Sequence, residues 1–150
     1  MHKSKIVPCI WLTADGGQLS KTLEYYKKIF DQDFQAGRIV PLGQTLSGNA
    51  EMCEVAVFEQ KFALMCTASE HHPLNDAVSF IIYCSDQNEI DRYWDYFTQD
   101  GKESQCGWCT DKNGLRWQVI PENLGELMSK PDSFKVMMKQ KKIIIGEYLK

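Results

Sequence analysis

A basic surplus is missing from this sequence: among 150 residues, 17 Lys and Arg stand against 20 Asp and Glu, a formal charge of −3. Nucleic-acid-binding domains usually carry a basic face, so no nucleic-acid partner is expected. Long apolar runs are missing too. Nothing approaches the roughly 20 residues of a membrane span, and the opening MHKSKIVPCIWLTADGG holds an apolar stretch too short for a signal peptide. A cytoplasmic protein without a membrane partner is expected. A glycine-rich strand-to-helix turn, the usual cradle of a nucleotide-like cofactor, is also lacking. The early pair Gly16-Gly17 lies between a proline-containing strand and an amphipathic helix and reads as a loop hinge. Cysteine is not scarce, but most of Cys9, Cys53, Cys66, Cys84, Cys106 and Cys109 lie inside apolar, strand-like runs with no secretion signal. They read as reduced thiols that fill a core.

What is present is an ordinary apolar fraction with clear periodicity, enough to bury a core. The stretch from Ala77 to Pro121 is the most regular. Ala77 to Cys84 is an apolar run of strand length, and Asp86 with Glu89 opens a helix in the manner of a capping box. Ile90, Tyr93, Trp94 and Phe97 recur at helical spacing, so one face of that helix is buried. Asp100-Gly101 ends it. Gln105 to Asp111 and Leu115 to Ile120 read as strands either side of a Lys112-Asn113-Gly114 turn.

The first half has the same grammar. Ile6 to Thr13 reads as a strand, with Pro8 near its start where a strand tolerates it. Ser20 is expected to cap a helix whose stripe is Leu23, Tyr26, Ile29 and Phe30. Strands follow at about Gln35 to Leu42, Glu51 to Glu59 and Lys61 to Thr67, with Gln60-Lys61 as a hairpin and Gly43 to Asn49 as a polar, mobile loop. The helices LEYYKKIF and IDRYWDYF match in texture, each with paired aromatics and a closing Phe. The halves form a repeat of pattern rather than of identity.

The segments PCIWL, LEYYKKIF, AVSFIIYCSDQNEIDRYWDYF, QCGWCTDKNGLRWQVIP and LMSKPD resemble the PhnB-like branch of the vicinal oxygen chelate superfamily, which includes glyoxalase I, extradiol dioxygenases and bleomycin or fosfomycin resistance proteins. The branch often carries the label 3-demethylubiquinone 3-methyltransferase-like. The resemblance implies an α+β protein in which two βαβββ modules, residues 6–67 and 77–121 within a paired region 1–121, form a curled mixed sheet with a cleft. It also implies a homodimer. Residues 122–150 read as a helical tail, with Phe134, Met137 and Met138 apolar among Lys135, Lys139, Lys141 and Lys142, that docks on its own module or across a dimer interface.

In the metal-using relatives, His, Glu or Gln side chains reach inward from the first and last strands. Carried onto this chain, those positions are Cys9, then Leu64 or Cys66, then Ser79 and Gln118. A divalent Lewis acid needs about three good ligands and an open position. Only Gln118 is a usual superfamily ligand, while Ser79 is weak and Cys9 is soft. His71 and His72 are adjacent in a polar loop. No metal and no cofactor are expected, and the methyltransferase label has no residues behind it.

Strand alternation puts Cys9, Trp11, Ser79, Ile81, Tyr83, Trp108, Arg116 and Gln118 toward the cleft, a set suited to a small, planar or anionic molecule. Trp11, Tyr83, Trp108, Arg116 and Gln118 are the expected ligand-binding residues, although Trp11 and Trp108 also suit plain core and Arg116 a surface pair. Cys9, Ser79 and Gln118 are the candidates for catalysis. Cys106-Gly107-Trp108-Cys109 reads as strand, with Cys106 and Cys109 on opposite faces, so packing is preferred over redox or metal chemistry. The expected function is small-molecule binding. The alternatives are a lyase- or dioxygenase-like enzyme with an atypical metal or thiol site, and a scaffold subunit acting through its tail.

Overall fold

A computed structural model describes residues 5–70 and 72–150, and the chain divides into two compact units, residues 1–73 and 74–150. The first unit runs β1 (Cys9–Thr13), α1 (Ser20–Phe30), β2 (Phe34–Ala36), β3 (Val40–Thr45), β4 (Gly48–Val57) and β5 (Gln60–Thr67). Its sheet has the order β1-β5-β4-β2, and β3 also pairs with β4. The second runs β6 (Phe80–Cys84), α2 (Gln87–Gln99), β7 (Lys102–Glu103), β8 (Trp108–Thr110) and β9 (Arg116–Pro121), in the order β6-β9-β8-β7. In each unit the first strand lies parallel to the last, and the other pairings are antiparallel. The repeat is therefore one of wiring. Among the described residues no helix is long and apolar enough to cross a membrane.

Helix α1 buries Thr22, Tyr25, Tyr26, Ile29 and Phe30. Ser20 is its first residue rather than its cap, Leu19 holds the cap position without a side-chain bond, and Leu23 is only half-buried. Aromatic contacts continue to the β4–β5 turn, where Phe58 meets Phe30 edge-on at 5.8 Å. That turn is Phe58-Glu59, two residues ahead of the expected Gln60-Lys61, and both residues take positive φ.

Two further expectations fail in this unit. The Gln35 to Leu42 strand is two pieces, β2 and β3, which pair with opposite ends of β4. Gly43 to Asn49 is a β-hairpin, not a loop: Gly43 pairs with Ala50 and Thr45 with Gly48, after a register shift between Pro41 and Gly43. Strand β3 is exposed along its whole length, with Leu46 fully exposed at the tip.

Helix α2 starts as its sequence predicts. Asp86 Oδ1 accepts the Glu89 N–H at 2.9 Å, while Glu89 Oε2 accepts from Ser85 N and Oγ at 2.8 and 3.0 Å. Two otherwise orphaned donors are satisfied. Ile90, Tyr93, Trp94 and Phe97 are buried. Phe97 stacks on Trp117 of β9 with centroids 4.6 Å apart and planes 6° apart, a contact that contributes about 1 kcal/mol beyond its area. The strand before this helix starts at Phe80 rather than Ala77.

The tail docks on its own unit. Leu127, Ile143 and Tyr148 form a buried cluster, flanked by Met128, Val136, Met137 and Ile145. It includes α3 (Leu124–Met128), α4 (Ser133–Met138) and a 3-10 turn, Ile145–Leu149. Main-chain bonds hold it down: Cys106 N–H donates to Gln140 O at 2.8 Å and Gly107 N–H to Lys141 O at 2.7 Å. Gln87 of α2 donates to Ile143 O and accepts from Ile145 N. Lys142 sits between Asp91 and Asp95 at 3.1 and 2.9 Å. Desolvation pulls the Lys142 ammonium down, but its hydrogen bonds to Asp95 and Asp91 outweigh that, and its pKa ends raised.

Candidate functional site

A sheet with one helix across it has a second face, and in the second unit that face carries most of the candidates. Register decides which residues share it, because directly paired residues point the same way. Ile81 pairs with Gln118, which pairs with Trp108, so these three form a row across β6, β9 and β8. Arg116 and Tyr83 lie on the same face, two residues away along β9 and β6. The opposite face, with Ile82, Cys84, Cys109, Trp117 and Val119, is buried. Ile81 and Tyr83 remain 45% and 63% exposed.

Gln118 Nε2 donates to Ser79 Oγ at 2.8 Å. The pair is neutral and can hydrogen-bond a carbonyl or hydroxyl of a small molecule. Arg116 is already engaged: its Nε lies 2.9 Å from Asp76 Oδ1, and it donates to Gly114 O at 2.7 Å. An anion reaching this face meets a guanidinium whose charge Asp76 largely cancels.

Cys9 and Trp11 belong to the first unit, on the face of β1 shared with Ala63, Met65 and Thr67 of β5 and Met52 and Glu54 of β4. The Trp11 indole N–H donates to Thr67 Oγ1 at 2.9 Å, and that hydroxyl donates to Ser69 O. Thr67 was not among the candidates, yet it shares β5 parity with Met65, and parity was its only signal. The position carried onto Leu64 or Cys66 is corrected: both are buried on the helix side of the sheet, paired with Ile10 and Leu12. A shift of one residue in a strand reverses the face, and Met65 occupies the open side instead.

Donor chemistry decides what these positions can hold. In the second unit Ser79 and Gln118 supply two neutral oxygen donors, short of the three or more good ligands a divalent ion needs, and Cys9 in the first unit is a soft thiol. Among the described residues no three His, Cys, Asp or Glu side chains gather as a metal cage. His72 is exposed, and His71 lies outside the described residues. Gly17 does not fit a cofactor cradle either. A Cβ there would stand 2.0 Å from Asn49 O, so the backbone of β4 already fills that space.

The CGWC segment is corrected as well. Only Trp108–Thr110 is strand, while Cys106 takes φ 58 in the turn before it. Four of the six thiols, Cys53, Cys66, Cys84 and Cys109, are buried, and all six are free. Burial pushes the Cys84 and Cys109 thiols up to about 12. In a thiol titration of the native protein at neutral pH, exposed Cys9 and half-buried Cys106 should react first and the other four only after denaturant is added. More than two fast thiols would contradict this burial pattern.

Two sheet-and-helix units, each with its first strand parallel to its last, define the glyoxalase/bleomycin resistance/dioxygenase fold. Residues 4–120 match the family described as 3-demethylubiquinone-9 3-methyltransferase, and the chain belongs to that family. It is similar to the PhnB protein from Bacillus cereus, with 22% identity and a TM-score of 0.61 over 78% of this chain and 99% of that one. Similarity to the fosfomycin resistance protein FosX from Mesorhizobium loti is at 9% identity and TM-score 0.54, over 87% and 100% of the two chains. For the trypanothione-dependent glyoxalase I of Leishmania major the values are 11% and 0.52, over 89% and 98%. At these identities the likeness is one of fold. No protein of curated function matches the chain.

Proposed function

We propose that this protein binds a small, partly planar molecule through the open face of its second sheet, with Trp108 and Tyr83 as aromatic contacts and the Gln118–Ser79 pair setting orientation. The observation that carries this reading is the mismatch between the two faces. One is buried beneath α2, whereas the other keeps Ile81 and Tyr83 largely exposed beside a hydrogen-bonded amide and hydroxyl. Small-molecule sites combine such apolar contacts with a few placed polar groups. Arg116 lends directional N–H donors more than net charge, because Asp76 is beside it. Trp11 and Cys9 supply a second, smaller set on the first unit.

The test uses anilinonaphthalene sulfonate, an aromatic probe whose fluorescence rises on an apolar surface. Tyr83→Ala and Gln118→Ala should each weaken its binding about tenfold, or about 1.4 kcal/mol. Unchanged affinity in both variants removes the assigned face. On the same reading the chain works in the cytoplasm as a homodimer, and sedimentation showing only monomer at micromolar concentration ends the dimer assignment.

A second reading, an enzyme acting through a thiol, is favoured by exposed Cys9 beside Trp11 on one strand face. An activated thiol should be alkylated faster than free cysteine between about pH 6 and 8. Alkylation of Cys9 at the free-cysteine rate removes this reading.

A further inference from the structure

Cys106 sits where few side chains do. Its φ of 58 is a left-handed conformation that non-glycine residues rarely adopt. The tail holds it there, through the carbonyls of Gln140 and Lys141 that accept from Cys106 and Gly107. The consequence is a sulfur pair: Cys106 Sγ lies 4.0 Å from Met138 Sδ and 3.6 Å from Met137 O. Tyr148, 4% exposed, belongs to the tail cluster that Met137 packs against, and its hydroxyl is buried with no hydrogen-bond partner among the described residues. Desolvation holds that phenol's pKa up, and the charge of a Cys106 thiolate adds to the effect.

We propose that Cys106 and Met138 form a binding site for a soft monovalent cation, Cu(I) or its redox-inert stand-in Ag(I). The site is independent of the sheet-face reading. Thiolate and thioether sulfur are the ligand types that favour such ions over Mg, Ca or Mn. The spacing fits. With metal–sulfur bonds of about 2.3 Å, sulfurs 4.0 Å apart subtend an angle of roughly 120° at the ion, which is trigonal and leaves a third position. The 54% exposure of Met138 lets the ion enter from solvent and leaves that third position to water.

Charge favours a monovalent ion. One thiolate cancels one positive charge, so the complex is neutral in partly apolar surroundings, whereas a divalent ion would bring a net charge into them. Binding exchanges a proton for the ion: Cys106–SH plus M⁺ gives Cys106–S–M plus H⁺, with no change of oxidation state.

The experiment titrates Ag(I), in chloride-free buffer, into the reduced full-length chain carrying Cys9→Ser to remove the other accessible thiol. One ion should bind per chain, releasing about one proton near neutral pH. Met138→Leu, a near-isosteric change at an exposed position, should weaken binding at least tenfold, and Cys106→Ser should abolish it. Equal affinity in Met138→Leu would reduce the site to a lone thiol and overturn the proposal. So would the absence of tight binding, or binding that survives in Cys106→Ser. Should Cys106→Ser fail to fold by thermal unfolding, the Met138→Leu comparison decides alone.

Discussion

Asp111→Ala is expected to destabilise the second unit by about 3–5 kcal/mol, because three neutral N–H donors lose one buried acceptor. Asp111 is 2% exposed. Its Oδ1 accepts from Asn113 N at 2.8 Å and Leu115 N at 3.1 Å, and its Oδ2 accepts from the Trp117 indole N–H at 2.8 Å. One carboxylate thereby closes the β8–β9 turn and satisfies the indole of the ring stacked on Phe97. Alanine leaves three donors without that acceptor, at roughly 1–3 kcal/mol for each that stays buried and unpaired. Asn is not a rescue: an amide can keep the two backbone bonds, but then turns an NH2 toward the indole N–H. A fall in midpoint of roughly 8–15 °C is expected for the alanine variant. Three of the four tryptophans, Trp94, Trp108 and Trp117, lie in this unit, so their fluorescence follows its unfolding. A midpoint within a degree of the parent would show that the network contributes little.

Gly17→Ala should do comparable damage to the first unit. Two costs add at this position. Gly17 has φ +70, which an alanine adopts only with strain, and its new Cβ would stand 2.0 Å from Asn49 O and 2.7 Å from Asn49 C. Those are backbone atoms of β4, so relief requires the strand or the Asp15–Gly17 turn to move. About 3 kcal/mol or more is expected, at the upper end for overpacking. Gly16 is the control. It also has positive φ, +63, but a Cβ there meets nothing within 4 Å, so Gly16→Ala should cost only about 1 kcal/mol. Hydrogen exchange across β1, β4 and β5 separates the variants. Equal protection in both would remove the close approach to Asn49 as the reason for Gly17.

The parts of this fold that were legible in the sequence were set by local periodicity. Helix α2 is one: Asp86 and Glu89 announce its start, and Ile90, Tyr93, Trp94 and Phe97 name its buried face. The shared face of Ser79, Ile81, Tyr83, Arg116 and Gln118 was legible for the same reason, because alternation needs only the parity of each strand. Distant contacts were not. Nothing near Cys106 in sequence says that it leaves the strand, since the carbonyls that hold it come from Gln140 and Lys141. Likewise Asp76, which neutralises Arg116, lies 40 residues away. Composition misled at Gly43 to Asn49. Glycine and polar residues there suggested a loop, but Gly43 and Gly48, with φ of 83 and 87, fit a bulge and a tight turn inside a hairpin.

That hairpin bears on how the protein behaves at high concentration. An uncovered outer strand with Val40 and Leu42 in solvent, and Leu46 in the turn that follows it, is the sort of surface on which copies stack into fibrils. Pro41 takes one N–H out of the row, and the kink before Gly43 breaks the spacing of the rest. A growing ribbon would find no continuous template along this arm, and the molecule can leave greasy residues there without seeding its own precipitation.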